Sequence, residues 1–509
     1  MPVNKDFYTI SGSSGQSTGY KINQSIVYND GSDPVLYKSI SSTSSSTTNT
    51  ISMWVKRGQL GNSDSGSGSD AYGQTLFQSG RTASNYMELK FGGATAGGLG
   101  TAEDALSLYN VTGDSINMKI NTTTVFRDVT AWYHIVAIFD TTNATSNERL
   151  RLYVNGVRQT DFSSSTFPSA STATEMFNNT SNTPSIGAVK NTSETVRHFD
   201  GYLAEIHVVN GYAYGPEYFG EFTENGIWIP KKYSGSYGTN GFKIDGRDAT
   251  DLGDDESGNG NDYTMSGFNG GTGNRSQSLD SPTNNFCTWN VLDNYWQSAT
   301  IEHGSLRVNT NSSNYSPTTS TFQLDSGKWY WEARLSNEAG SGNYADIGII
   351  GEDITSSTKT IGKYTYGYEY KATTNANAGK SRNNDTYATY GANYEAGDII
   401  GVAVDLDNNK LYFSKNGTYQ NSGDPTSGST GTGAISITAA ASTTNGGYKM
   451  AVGEELDSHG ARWDCNFGQD SSLTGLSSAN TNVDASGTGE FHFAVPSGYK
   501  AICTKNLGS

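Results

Sequence analysis

The sequence is poor in several features that would define whole classes of protein. Its three cysteines, Cys287, Cys465 and Cys503, are too few for a disulfide framework and lack the CxxC spacing of a zinc site. We therefore expect free thiols. Lysine and arginine form no cluster, and 33 basic against 50 acidic residues give a net charge of −17. This balance argues against nucleic acid as a partner, because binding a polyanion requires clustered cations.

Long apolar runs are also missing. No stretch approaches the ~20 apolar residues of a membrane-spanning helix, so we expect no membrane insertion. The first residues, MPVNKDFYTISGSSG, lack the cationic and apolar regions of a secretory signal. We expect the protein to be made in a cytoplasm, or to leave it by a route that needs no cleaved signal, such as lysis.

The abundant residues favour turns and short strands. The 61 glycines and 31 tyrosines stand among many serines, threonines and asparagines, while helical periodicity is scarce. A chain of 509 residues is long enough for two to four domains. The composition predicts an all-β protein.

Two stretches have the pattern of a β-hairpin. In residues 397–417, Ile400, Val402 and Val404 alternate on one face, turn-forming residues follow, and a second strand stops at an Asn-Gly pair. Residues 132–156 repeat the plan, with LYVNG where the later hairpin has LYFSKNG. The repetition predicts two antiparallel β-sandwiches, each built around one hairpin.

Residues 31–230 contain about a dozen strand-like segments, as a sandwich or jelly roll requires. The segments ISMWVKR, TLFQSG, WYHIVAIFD with LYVNG, and FDGYLAEIHVVNG follow in the order seen in laminin-G-like, concanavalin A-like lectin domains, which this region resembles. The resemblance implies a jelly roll of two antiparallel sheets. Such domains often bind carbohydrate, sometimes with the help of calcium.

Residues 286–509 resemble a SPRY domain, also called B30.2. The resemblance rests on SGKWYWEARL, ADIGIIG, the hairpin at 397–417 and WDCNFGQ, which keep the family order. It implies a bent β-sandwich that binds protein or peptide ligands through loops at one end. Strand alternation places Trp329 and Trp331 on one face, which we expect to be core, with Tyr330 and Glu332 on the other.

The remaining segments are rich in glycine and polar residues. Residues 1–30 are either a flexible terminus or an arm that anchors the chain to a particle. Residues 231–285 are predicted to be a Gly/Asn-rich connector between the two sandwiches. The sequence from residue 212 through this connector, and the final ICTKNLGS, resemble structural proteins of tailed bacteriophages, which implies a virion protein of the tail, fibre or capsid surface.

A tyrosine-rich region of the second sandwich is the candidate ligand-binding site. Aromatic rings offer flat apolar faces with a polar tip, which suit sugar rings or a protein surface. Alternatively, YTYGYEY is one strand whose tyrosines lie mainly in the core, and both interpretations remain open. The candidates are Tyr364, Tyr366, Tyr368, Tyr370, Tyr387, Tyr390 and Tyr394.

A candidate calcium site lies in the predicted connector. Asp255, Ser257 and Asn259 match the first half of an EF-hand loop, in which alternate residues supply oxygen ligands. Ser266 stands at the twelfth position, where a glutamate is expected. Because Asn, Asp and Gly clusters also form ordinary turns, the segment is either a Ca²⁺ site or a turn.

We expect the protein not to be an enzyme. Glycoside hydrolases of the concanavalin A-like architecture place carboxylates on one strand in an E-x-D-x-x-E pattern. The matching strand here has Glu205 but His207 and Asn210 in place of the other two acids. His134 and His207 could approach across adjacent strands, although two separated histidines are more often structural than metal ligands.

Together these features predict a non-enzymatic bacteriophage virion protein that binds host-surface glycans or neighbouring virion proteins. We expect a homo-oligomer, with a trimer favoured because virion fibres are commonly trimeric. One alternative is a purely structural decoration protein. A second is a polysaccharide depolymerase.

Overall fold

The computed structural model describes most of the chain and confirms the all-β class. The described residues are 19–61, 72–94, 101–191, 195–268, 276–293, 299–310, 315, 317–338, 344–373, 376–455, 460–473, 476 and 480–508. Within these ranges, no helix is long and apolar enough to cross a membrane. All three cysteines are free, as the sequence predicted, and the structure shows that they are also buried.

The first sandwich consists of two antiparallel eight-stranded sheets, which we call sheets I and II. In spatial order, sheet I contains Val157–Arg158, Leu150–Val154, Tyr133–Asp140, Thr48–Arg57, Gly201–Asn210, Ser25–Tyr28 and Gln277–Ser278, with Phe242–Ile244 also paired to Gly201–Asn210. Sheet II contains Phe162–Thr166, Ser115–Val125, Ala105–Thr112, Asn85–Gly92, Gly73–Thr82, Ser185–Ile186, Val35–Tyr37 and Thr264–Ser266.

The second sandwich consists of an eight-stranded sheet III and a six-stranded sheet IV. Sheet III contains Thr300–Glu302, Arg307–Asn309, Ala461–Asn466, Lys328–Glu338, Ile399–Asp405, Lys410–Lys415 and Thr418–Tyr419, with Ile435–Ser436 also paired to Lys410–Lys415. Sheet IV contains Thr318–Leu324, Tyr448–Glu454, Ala345–Ile350, Gly367–Lys371, Lys380–Asn383 and Thr386–Thr389.

Small elements complete the described fold. The two-stranded pairs are Val189–Lys190 with Thr195–Val196, Gly220–Phe222 with Trp228–Pro230, and Asn482–Val483 with Glu490–Phe491. Short 3₁₀ helices lie at Asp30–Ser32, Ser146–Glu148, Pro216–Tyr218, Val291–Asp293, Ile361–Lys363, Gln420–Ser422, Pro425–Thr430 and Ala440–Ser442, and an α-helix spans Thr504–Leu507.

Both predicted hairpins are present, and each one lies in the core of its sandwich. Ile399–Asp405 pairs with Lys410–Lys415, and Tyr133–Asp140 pairs with Leu150–Val154. Ile400 and its alternate neighbours fill the space between sheets III and IV, where burying each apolar side chain stabilises the fold by about 1.5–3 kcal/mol.

The segments predicted as connector and arm contribute strands to the first sandwich. Within residues 231–285, Phe242–Ile244 and Gln277–Ser278 pair in sheet I and Thr264–Ser266 pairs in sheet II. Ser25–Tyr28 pairs with the long strand Gly201–Asn210. Residues 1–18 of the predicted arm lie outside the described residues. The connector strands have only two or three residues each, too few to show an alternating pattern.

The two sandwiches contact each other directly through buried polar groups. The carboxylate of Asp200, beside sheet I, accepts hydrogen bonds from the backbone N–H groups of His303 (3.1 Å) and Gly304 (3.0 Å) in the second sandwich. The hydroxyl of Tyr202 donates to the carbonyl of Gly304 at 2.7 Å. The Ser305 hydroxyl likewise donates to the backbone of the first sandwich.

The segment that joins the sandwiches is anchored to sheet I. We call residues 276–286 the bridging segment. The ammonium of Lys56 lies 2.7 Å from the Asp280 carboxylate and donates to the Phe286 carbonyl at 2.9 Å, and Trp132 Nε1 donates to Asp280 at 3.0 Å. Lys56 and Asp280 are both buried. The connection is therefore a packed part of the molecule.

Candidate functional site

The outer face of sheet I, away from the first core, is covered by residues 212–237. Phe219 and Tyr233 of this segment pack on Val136, Ile138 and Val209 of the sheet and form a small second core. Because this packing fixes the segment, the aromatic residues that it exposes are held in a defined arrangement.

Three tyrosines of this segment form a stack at the surface. The ring centroids of Tyr212 and Tyr214 are 5.2 Å apart with the planes 5° from parallel, and those of Tyr214 and Tyr218 are 4.3 Å apart at 26°. Tyr212 is 41% exposed and Tyr218 is 43% exposed, so both are among the exposed large apolar residues of the first sandwich. We call these three residues the tyrosine platform.

Backbone hydrogen bonds position the platform. The hydroxyl of Thr50, on the central strand Thr48–Arg57, accepts from the N–H of Tyr214 at 2.9 Å and donates to the carbonyl of Tyr212 at 3.0 Å. Pro216 begins the 3₁₀ turn that presents Tyr218, at the position where the fixed φ of proline suits a helix start. The tyrosine platform was not predicted from the sequence, although the three tyrosines within YAYGPEY were a signal for it.

A β-bulge beneath the same segment shapes the local chemistry. The pairing of Gly201–Asn210 with Thr48–Arg57 shifts register between Ala204 and His207, and Glu205 has a left-handed backbone with φ of 47°. The extra residue turns both Glu205 and His207 to the outer face, while Ile206 and Val208 point into the core. Bulges commonly re-aim side chains in this way.

The Glu205 carboxylate is enclosed by hydrogen-bonding partners. It accepts from the Tyr20 hydroxyl at 2.7 Å, lies 3.1 Å from His207 Nε2, and lies 3.2 Å from the ammonium of Lys243. Burial alone would raise the pKa of Glu205, but the hydrogen bond and charge of His207, together with Lys243, lower that pKa to about 2. Glu205 is therefore ionised at neutral pH.

His134 does not face His207 on an adjacent strand, because the strand Thr48–Arg57 lies between them. Its Nδ1 accepts from the indole N–H of Trp228 at 3.0 Å, and its Nε2 lies 2.9 Å from the hydroxyl of Ser52. Since an indole can only donate, Nδ1 is unprotonated and the neutral ring donates from Nε2. Burial, with repulsion from His207, lowers the pKa of His134 to about 3.

This arrangement is suited to holding the surface segment in place. Glu205 and His207 are only 6% and 3% exposed, so a substrate has no path to them in this conformation. An ionised carboxylate that accepts from three donors also has no proton to give to a leaving group. The exposed chemistry of this face belongs to the tyrosine platform.

The seven tyrosines predicted as a ligand site lie largely in the core of the second sandwich. Five of them are buried: Tyr364, Tyr368, Tyr370, Tyr390 and Tyr394. The ring of Tyr370 packs against Tyr390, Tyr394 and Phe413, and that of Tyr368 packs against Tyr448. Because all five are buried, they offer no free face to a ligand. Tyr366 and Tyr387 remain partly accessible.

The predicted calcium loop is a network of internal hydrogen bonds. The Asp255 carboxylate accepts from the backbone N–H groups of Lys243, Ser257 and Asn261 at 2.8–2.9 Å. The amide of Asn259 donates to two backbone carbonyls. These residues therefore have the contacts of a turn. In the described part of the chain, no group of three or more His, Cys, Asp or Glu residues is arranged to hold a metal ion.

Comparison with protein families identifies both sandwiches. Residues 29–214 match the model of the concanavalin A-like lectin/glucanases superfamily, and residues 328–454 match the model of the SPRY domain. The chain combines a concanavalin A-like domain with a SPRY domain. The tyrosine platform begins at the end of the first match, and the predicted tyrosine site overlaps the second. A search of curated proteins found no match.

The solved structures that match this chain include a pentraxin, a SPRY domain and a pair of laminin domains. A heptameric SAP-like pentraxin from Limulus polyphemus is 13% identical over 38% of this chain and 80% of its own, with a TM-score of 0.26. The SPRY domain of human HERC1 is 14% identical over 33% and 92%, with a TM-score of 0.25. Domains LG4-5 of the mouse laminin alpha1 chain are 8% identical over 89% and 90%, with a TM-score of 0.28. The assignment of the two domains rests on the family matches.

Proposed function

We propose that the protein is a non-enzymatic binding protein that takes a cell-surface carbohydrate on the tyrosine platform. The observation that carries the proposal is the exposed stack of Tyr212, Tyr214 and Tyr218, held from behind by the Thr50 hydroxyl. Rigid aromatic rings contact a sugar or protein surface at low cost in conformational entropy. The match to a lectin superfamily supports carbohydrate as the ligand class.

The proposed setting is the surface of a bacteriophage virion, on a tail, fibre or capsid. What supports it is the resemblance of the sequence from residue 212 through the bridging segment to structural proteins of tailed bacteriophages. In this setting the chain forms homo-oligomers, with a trimer favoured, and contacts other virion proteins. Electron microscopy of an assembled particle tests the location, and sedimentation of the purified chain tests the oligomer.

The platform is tested by binding of the purified protein to glycan extracted from the host envelope. Removing one stacking ring costs about 0.5–1.5 kcal/mol, so we expect Tyr218→Ala to weaken binding by about 2- to 12-fold. Tyr366→Ala is the matched control, because it removes a partly exposed tyrosine of the second sandwich. An equal loss in both variants, or a loss in the control alone, would move the site away from the platform.

A purely structural decoration protein is the competing proposal. In that case both sandwiches serve contacts between subunits, and nothing on a host is recognised. The purified protein would then bind neither host cells nor extracted glycan, and Tyr218→Ala would change only its assembly with other virion proteins.

The non-enzymatic part of the proposal is supported by the enclosed Glu205. A depolymerase needs a protonated acid beside a second carboxylate, and Glu205 is ionised and bonded to Tyr20, His207 and Lys243. We expect no reducing ends to be released from host polysaccharide. Release that Glu205→Gln abolishes would instead establish the depolymerase.

A further inference from the structure

A cleft lies at the junction of the two sandwiches, apart from the tyrosine platform. Its volume is about 430 Å³, within the range of about 300–1,000 Å³ typical of small-molecule sites. It is lined by residues 19–23, by the hairpin that ends at Pro230, by Leu279 and residues 281–284 of the bridging segment, and by Gly487, Thr488 and Lys505 of the second sandwich. Both sandwiches supply walls, so the cleft exists only in their joint arrangement.

The charge of the cleft is opposite to that of the protein. The chain has a net charge of −17, yet the charged residues among those that line the cleft are Lys21 and Lys505, without an aspartate or glutamate in the described lining. Both lysines are exposed, and within the described ranges neither ammonium has an ion-pair partner. A concave surface of one sign concentrates ligands of the opposite sign.

Both cations stand on backbone that is fixed by the fold. Lys21 follows Tyr20, whose hydroxyl donates to Glu205 at 2.7 Å. Lys505 lies in the helix Thr504–Leu507, and its backbone N–H donates to the side chain of Asn284 at 3.2 Å. Lys21 and Lys505 therefore line the cleft from opposite domains of one packed unit.

The remaining walls suit a sugar ring. Ile227, Ile229 and Leu279 provide apolar surface, and Asn23 and Thr488 provide neutral hydrogen-bonding groups. We propose that the cleft binds a carboxylated sugar residue of an anionic polysaccharide, with Lys21 and Lys505 contacting the carboxylate. The inference rests on the proposed function for the ligand class. To that proposal the cleft adds a second binding site and the requirement that the ligand carries a negative charge.

The test measures binding by calorimetry with two probes on the full chain. The first probe is an oligogalacturonate, and the second is the same oligosaccharide with its carboxylates reduced to alcohols. We expect the carboxylated probe to bind about tenfold more tightly, since charge-assisted hydrogen bonds are about twice as strong as neutral ones. Raising the ionic strength should reduce this difference.

Variants then assign the effect to the cleft. We expect Lys21→Gln and Lys505→Gln each to weaken binding of oligogalacturonate by about 3- to 10-fold. Lys232→Gln removes the same charge from an exposed lysine outside the cleft lining and should leave binding unchanged. Equal binding of the two probes, or equal effects of the three variants, overturns the inference. Neither result would count against carbohydrate binding by the tyrosine platform, which the comparison of Tyr218→Ala with Tyr366→Ala tests separately.

Discussion

Substituting Gly304 with alanine should loosen the contact between the two sandwiches. Gly304 has φ of +60°, and a Cβ atom there would lie 2.7 Å from Cζ and 2.8 Å from the hydroxyl oxygen of Tyr202. Tyr202 is fully buried and donates to the Gly304 carbonyl, so its ring cannot swing away without breaking that bond. The new methyl group must therefore push the two sandwiches apart.

The destabilisation expected from Gly304→Ala has two parts. A left-handed backbone costs an alanine roughly 1–2 kcal/mol, and an overpacked site costs about 1–3 kcal/mol. Together they predict that Gly304→Ala lowers the free energy of unfolding by about 2–5 kcal/mol. The steric part acts at the contact, so we also expect the two sandwiches to unfold less cooperatively.

Gly487→Ala provides the matched control for Gly304→Ala. Gly487 has φ of +63°, and a methyl group added there would meet no heavy atom within 4 Å. The Gly487→Ala variant should therefore lose only the part of the free energy of unfolding that comes from the left-handed backbone, roughly 1–2 kcal/mol. Urea denaturation followed by tryptophan fluorescence and circular dichroism measures both variants. Equal losses in the two would show that the contact with Tyr202 is not tight and would refute the reasoning.

Three further predictions concern buried groups. Lys56→Met should lower the free energy of unfolding by about 3–5 kcal/mol in urea denaturation, because it leaves the buried Asp280 carboxylate without its ion-pair partner; a loss below about 1 kcal/mol would contradict this. Glu205, with its pKa lowered to about 2, stabilises the fold above its unfolded pKa of about 4.3, and this contribution disappears as the pH falls towards 2. Glu205→Gln should therefore be less stable than the wild type at pH 7 and approach it near pH 2, and a gap independent of pH would contradict this. Ile400→Val should cost about 0.5–1.5 kcal/mol in the same denaturation measurement, and no loss would place Ile400 outside the core.

The hairpins could be predicted because their alternation is imposed by burial. Val402 and Val404 face the core of the second sandwich, as the pattern in residues 397–417 indicated. Trp329 and Trp331 are core residues for the same reason. The opposite face of that strand is also buried, because Tyr330 packs against Phe491 and a C-terminal segment of the second sandwich. A pattern within one strand does not reveal a distant segment that covers it.

The tyrosine-rich region shows a second limit. Tyr368 and Tyr370 alternate with Glu369, which suggests that one face of the strand is exposed to solvent. Glu369 is instead buried and accepts a hydrogen bond from Arg382 at 2.6 Å. Since an ion pair between strands can bury a charged residue, the sequence pattern did not separate core tyrosines from surface ones. The bulge at Glu205 was equally hidden, because a left-handed backbone at a non-glycine residue has no local signal.

The buried ion pair of Lys56 with Asp280, which anchors the bridging segment, also affects the avidity of two binding sites on one chain. With Lys56 holding Asp280 of the bridging segment, the two proposed sites, the tyrosine platform and the cleft, keep a fixed separation. A flexible linker would let two weak contacts find many spacings on one polymer, whereas a rigid one gains avidity only when the spacing of the epitopes matches its own span. Selectivity for a repeating ligand can therefore reside in the distance between its repeats as well as in the chemistry of each repeat.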